Sequence, residues 1–219
     1  IYEMVTTVEA IINADQDKRN VESIQDEVEQ CLMENGFYNE AKSYILFRAR
    51  RTEQRRALNG IAAEIGDEQI VPVLKAIATD FQGNEYSILA LHEKFIGFNK
   101  AGMSHGDKLA ALIKAAVEMT TQEAPHWEFI AARLLSFGHE REVHAFEKAE
   151  GIYGLYEKLR YLTNERLYGS YILDAYSQEE IDEAAAFLVP QRNHLLNYSG
   201  LDLLVKRYLI RSYTHKPIE

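Results

Sequence analysis

Apolar positions along this chain recur at three- and four-residue steps, and that period predicts helices almost throughout. The densest stripe is Trp127, Ile130, Leu134 and Phe137, inside the stretch Gln122 to Phe137. Ala131 and Leu135 widen it until little of this helix is left for water. Pro125 suits the first helical position, where its missing N–H costs nothing. At the start of the chain, Met4, Val8, Ile11 and Ile12 share one helical face, and the polar run from Ala14 to Asn20 breaks it. Asn20 is placed to cap a second helix, with Glu22 in the first turn, where the helix dipole favours an acid. The stripe of that helix is Ile24, Val28, Cys31 and Leu32, and Asn35-Gly36 ends it in the left-handed conformation that glycine accepts. A third helix starts near Tyr38 and runs through Ala41, Tyr44, Ile45 and Arg48. The helical pattern then continues through Leu58, Ile61 and Ile65 to a stop at Gly66-Asp67. A short helix over Val71 to Phe81 precedes a turn cluster, Gln82 to Glu85, the expected divide between two halves.

From Ile88 the opening pattern recurs at a constant offset of about 85 residues, a self-comparison that precedes any fold assignment. Met4 falls on Leu89, Ile11 on Ile96, Ile24 on Leu109, Val28 on Ile113, Tyr44 on Phe129 and Arg48 on Arg133. Ser104 and Asp107 open the middle helix of the second copy with the spacing of a capping box. Ile152, Tyr153, Leu155, Tyr156, Leu159 and Leu162 predict a further amphipathic helix. Ser177 and Glu180 form another capping box in front of Ile181 to Leu188, and Pro190 marks where that helix ends. The expected fold is all-α, with roughly nine to eleven helices and no sheet beyond an incidental pair.

Composition narrows the function classes. The chain has 219 residues, 47% of them hydrophobic, which argues against global disorder. A net charge of −10 argues against a nucleic-acid-coating surface. No apolar run approaches the roughly 20 residues that span a bilayer, and no signal peptide is visible. Cys31 is the single cysteine, so neither an intrachain disulfide nor a cysteine zinc cluster can form, which fits a reducing, cytoplasmic setting. His139 and His144 superficially resemble a zinc helix, but five helical steps of about 100° leave them far apart around the axis. No metal ligand set and no catalytic residue is assigned. The ends, Ile1 and Glu219, look like cuts in a longer protein.

The segment "TTQEAPHWEFIAARLL" closely resembles the large (catalytic) subunit of class I ribonucleotide reductases, near the end of its N-terminal helical region. Tyr198, Gly200, Leu203, Arg207, Tyr208 and Leu209 fit a second stretch of that family, which usually shows Arg-Asp where this chain has Arg192-Asn193. The segment "QDEVEQCLMENGFYNEAKSYILFRARR" is similar to the second half of an ATP cone, the small nucleotide-sensing domain at the front of many of these enzymes. In the family a phosphate-cradling β-hairpin opens the cone, and this chain begins after it. The resemblance implies residues 1–56 as the C-terminal part of a cone, 57–85 as a helical connector and 86–219 as the N-terminal helical domain with a degenerate cone-like unit. The fold then reads as two tandem cone-like three-helix units followed by a further helical segment. The implied function is a regulatory and structural region of an enzyme that converts ribonucleoside diphosphates to deoxyribonucleoside diphosphates. ATP and dATP would be allosteric effectors of the parent enzyme, with no cofactor in this region. The implied partners are the radical-bearing small subunit and further copies of the large subunit.

The one basic run is Arg48, Arg50, Arg51, Arg55 and Arg56. It reads either as residual phosphate contact at the end of the cone's last helix or as an exposed face whose cations meet acidic neighbours. Arg51, Arg55 and Lys108 are the candidate nucleotide contacts, with weak affinity expected. Lys108 and Arg141 otherwise read as solvated, and Arg133, amid apolar neighbours, as a structural ion pair. A stand-alone helical interaction module is the alternative from another class, and it predicts a reading frame that stops near Glu219. The reductase chemistry implied by the family needs three cysteines, so the polypeptide by itself is expected to reduce no nucleotide.

Overall fold

The computed structural model describes residues 2–14 and 20–219. The side chain of Met4 and the break expected between Ala14 and Asn20 lie outside the described residues. The helices are α1 Tyr2–Ala14, α2 Val21–Glu34, α3 Tyr38–Ile65, α4 Ile70–Asp80, α5 Ile88–Phe98, α6 His105–Val117, α7 Trp127–Glu150, α8 Leu155–Asn164, α9 Tyr171–Ala175, α10 Gln178–Ala185 and α11 Tyr198–Arg207. Among the described residues the extended structure is one isolated bridge, Arg211 with Pro217. The chain divides into two compact units, Ile1–Arg56 and Ala57–Glu219. Helix α3 is continuous across that division, so residues 57–85 begin inside a helix and feed the core of the second unit.

In the first unit α1 packs along α2. Asn20 caps α2 by accepting from the Ser23 N–H at 2.9 Å. Gly36 follows α2 at φ +81°, the left-handed turn expected of it. Among its described residues only Cys31 and Ala41 are fully buried. Ile24, Val28 and Leu32 are partly covered, so this unit has apolar faces without a closed core.

The second unit has two apolar clusters. The larger joins Leu58, Ile61 and Ile65 of α3, Leu74 and Ile77 of α4, Leu91 and Phe95 of α5, Leu112 of α6, and Trp127, Ile130 and Leu134 of α7. Helix α7 is its axis, lying along α6 and α11 and touching α4. The axis starts two residues later than the sequence predicts. Pro125 and His126 form a turn in which the Glu128 N–H bonds the Pro125 carbonyl, the tight entry that a proline permits. Trp127 is 1% exposed and donates its indole N–H to the Glu85 carbonyl at 2.9 Å. The smaller cluster is Phe146, Ile152, Leu162 and Ile218. Here the sequence reading placed Ile152 and Tyr153 inside a helix. Gly151 instead ends α7 at φ +70°, and α8 starts only at Leu155.

Capping sets the remaining boundaries. Full capping boxes form at Ser104 with Asp107 and at Ser177 with Glu180. Asn197 caps α11 through the Gly200 N–H and donates to Glu128 of α7 at 3.1 Å, while Ser199 adds a bond to the same carboxylate. The "NYSG" run therefore ties the start of α11 to the axis. Adding 85 to the bounds of α1, α2 and α3 gives 87–99, 106–119 and 123–150, against 88–98, 105–117 and 127–150 for α5, α6 and α7.

Candidate functional site

The candidate residues fall in both units. In the first, Arg48 turns back from α3 onto α2. Its guanidinium meets Asp26 at 2.6 Å, Glu29 at 2.9 Å and Glu22. Those acids stand at steps of four and three, one face of α2, so a single arginine can reach all of them. The hydrogen bond to Asp26, then those to Glu22 and Glu29, hold the guanidinium charged well above its usual range. This arginine is occupied, as the acidic-neighbour reading expects.

The rest of the basic run points to water. Arg50, Arg51, Arg55 and Arg56 are exposed, and Arg51 lies over the Phe47 ring at 5.4 Å from its centroid. Leu46 and Phe47 are themselves half exposed, so the middle of α3 presents cations beside apolar surface. In the same unit an apolar groove of about 590 Å³ runs between α1, α2 and the start of α3. It is lined by Val8, Ile12, Ile24, Val28, Leu32 and Phe37, with Glu9 and Glu40 as its charged members. Cys31 opens onto that groove, 6% exposed, with the Asn35 amide 3.6 Å from its sulfur.

In the second unit Lys108 is committed to structure. Its ammonium donates to the Glu64 carbonyl at 2.6 Å, at the end of α3 where carbonyls lack helical partners. His105 Nδ1 lies 3.3 Å from the neighbouring Ile65 carbonyl, so α6 supplies two side chains that close the end of α3. Arg141 differs from its sequence reading as a solvated cation. It pairs with the buried carboxylate of Asp67, lies 3.1 Å from His105 Nε2 and stacks on Phe137. The sequence marks Asp67 only as part of a helix stop and gives His105 no role, because a turn after glycine and a first-turn histidine carry no contact pattern of their own. The signal was their position at two helix ends that must meet. Arg133 behaves as expected, bonding Asp80 at 2.6 Å and lying over Phe81 at 4.8 Å.

Among the described residues no helix is long and apolar enough to cross a membrane. No group of three or more His, Cys, Asp or Glu among them is placed to hold a metal ion.

Comparison with known proteins fits this division. The profile of the ATP cone domain matches residues 1–53. The ribonucleoside-diphosphate reductase subunit alpha of Treponema pallidum (strain Nichols) is 44% identical over 200 residues, 91% of this chain and 24% of that protein. The subunit alpha of Enterobacteria phage T4 is 27% identical over 162 residues, 71% of this chain and 20% of its own length. The ribonucleoside-diphosphate reductase 1 subunit alpha of Escherichia coli (strain K12) is 26% identical over 114 residues, 51% of this chain and 14% of its own. The chain thus spans about a quarter or less of the length of these relatives. It belongs to the family of class I ribonucleotide reductase large (alpha) subunits, whose N-terminal regulatory region it represents.

Proposed function

We propose that this polypeptide is the regulatory and structural part of an enzyme that reduces ribonucleoside diphosphates to deoxyribonucleoside diphosphates, with ATP and dATP as effectors. The observation that carries the reading is a coincidence of boundaries. The ATP cone match, residues 1–53, ends at the edge of the first compact unit, residues 1–56, so one sequence family and one structural unit describe the same piece. The division into a cone portion, a helical connector and a helical domain with a second cone-like unit rests on that boundary and on the 85-residue displacement of three helices. A radical-bearing small subunit and further large subunits are the partners that this reading implies, in the cytoplasm.

Nucleotide contact within these 219 residues is weak on this reading. Arg51 and Arg55 offer charge without a preorganised cradle, and Lys108 must leave the Glu64 carbonyl to take a phosphate. Calorimetry with ATP and dATP tests it. Affinity no better than millimolar is expected, and micromolar affinity that survives Arg51→Ala, Arg55→Ala and Lys108→Ala would place the site elsewhere.

By itself the polypeptide reduces no nucleotide. The family's chemistry uses one cysteine as a thiyl radical and two more as reductants, converging on a held substrate, while these 219 residues contain a single cysteine, Cys31, buried on α2. The test mixes it with a radical-bearing small subunit, a thiol reductant and a nucleoside diphosphate. Deoxynucleotide formed in the presence of the Cys31→Ser variant would sink both the family chemistry and this assignment of roles.

A further inference from the structure

The second unit carries an apolar surface that the fold does not cover. Helix α10 is followed by three consecutive large apolar residues, Phe187, Leu188 and Val189, which are 78%, 66% and 43% exposed. Chain geometry explains why they fail to turn inward. The Ala186, Phe187 and Leu188 amides bond carbonyls three residues back, so the helix tightens as it runs out, and Pro190, which has no N–H, cannot extend it and instead opens a separate 3-10 helix over Pro190–Leu195. Leu188 forms one wall of an open cleft of about 610 Å³ whose other walls are Ile152, Tyr153 and Leu155. Tyr153 is 83% exposed, so the apolar surface continues across the cleft from α10 to the turn before α8. The far rim is basic. Lys158 is neutralised by Glu147 at 2.6 Å, whereas Lys148 and His144 line the cleft and are exposed. Exposed apolar surface on this scale, bordered by charge, marks a place that another polypeptide covers.

We propose that this surface is the docking face for the part of the same polypeptide that follows Glu219, through a segment of apolar side chains bearing a carboxylate toward Lys148. The inference rests on the proposed reading that the chain belongs to a longer reductase subunit. Two observations select this occupant over a foreign partner. The relatives are about four to seven times as long as the region they share with this chain, so ample polypeptide remains to be placed. The last residues are also fixed beside the surface. Ile218 is fully buried in one cluster with Ile152, and Ile152 lines the cleft. The His139 ring and the Ile210 amide hold Glu219 in turn. Polypeptide continuing from Glu219 therefore starts from a point tethered to the cluster under the cleft, and tethering raises its effective concentration there far above that of any free partner.

Cysteine accessibility tests the proposal. Leu188→Cys and, separately, Phe187→Cys are introduced into the 219-residue chain and into the longer polypeptide that continues past Glu219. Alkylation at each position is followed by peptide mass spectrometry, with Val21→Cys, an exposed position on α2, as the control. Both positions are expected to label at least about ten-fold more slowly in the longer polypeptide, at every protein concentration, while position 21 labels alike in both. Equal labelling of 187 and 188 in a longer polypeptide that reduces nucleoside diphosphates overturns the docking face and leaves the reductase reading standing. Protection that grows with protein concentration assigns the surface to a second copy and also overturns the proposal. A reading frame that stops at Glu219 removes the proposed reading itself, an outcome distinct from either.

Discussion

Trp127→Phe should cost this protein about 3 kcal/mol of folding stability, and the number can be built from its surroundings. Trp127 is 1% exposed, with Tyr86 at a ring separation of 6.1 Å, Ile130 one turn along α7, and α3 and α4 completing the same cluster. Phenylalanine gives up about three of the buried heavy atoms, worth about 0.8 kcal/mol for each methylene equivalent, or about 2 kcal/mol in all. It also loses the indole N–H that bonds the Glu85 carbonyl, worth about 1 kcal/mol. Glu85 is an exposed residue, so water can reach that carbonyl and trim the second figure. Trp127→Ala, which removes the whole ring, should cost about 3–5 kcal/mol. Tyr86→Phe supplies the contrast. Its hydroxyl accepts from the His126 N–H at 3.5 Å, the outer limit of a hydrogen bond, so about 0.5 kcal/mol is expected. The assay is urea unfolding followed by far-UV circular dichroism, since Trp127 is the single tryptophan and its replacement removes the tryptophan fluorescence signal. A loss below about 1 kcal/mol for Trp127→Phe, or one equal to that of Trp127→Ala, would refute the claim that the indole's full outline is packed.

Two further outcomes are expected. In Gly60→Ala the new Cβ would overlap the His92 ring, so despite alanine's better helix propensity, urea midpoints should report a net loss of about 1–2 kcal/mol, and Gly60→Ala with His92→Ala should recover part of it. Glu179, in the first turn of α10, has its carboxyl pKa lowered from 4.5, first by its own backbone amide and then by Ser177. A depressed folded-state value means that its contribution is present above the unfolded value and is lost as pH falls through the folded one. Amide exchange in α10 should therefore be faster in Glu179→Gln than in the parent at pH 7, with the difference vanishing well below pH 4.5; an undiminished difference in acid would exclude the charge as its source.

Local chemistry made much of the fold readable in advance. Asn20, Ser104 and Ser177 each announce a helix start because a side-chain oxygen three residues ahead of an amide is a short-range fact. The Trp127, Ile130, Leu134 stripe is likewise a property of one helix. What escaped depends on residues far apart in sequence. Arg141 reads as solvated until α7 is laid beside the α3–α4 turn, where Asp67 waits 74 positions earlier. The turn at Gly151 was hidden for a different reason. Ile152 is buried and apolar, as a helical residue would be, but it is the left-handed glycine before it that aims it into the second cluster. Lys108 shows the limit for the candidate site. Its charge was legible, but its engagement with the Glu64 carbonyl requires the end of one helix to meet the start of another.

The placement of Ile218 sets an order on synthesis. A ribosome delivers the chain from its amino end, and domains close as their parts emerge. The fully buried residues of the large cluster in the second unit lie between Ala57 and Leu134, so most of that core can form while the following helices are still being made, with Tyr198 of α11 packing on it later. The small cluster cannot close so early. Phe146, Ile152 and Leu162 emerge well before Ile218, the residue that plugs them, and until it arrives their apolar surface stays open to water and chaperones. Truncating the final two residues would leave α7, α8 and the turn between them unsealed.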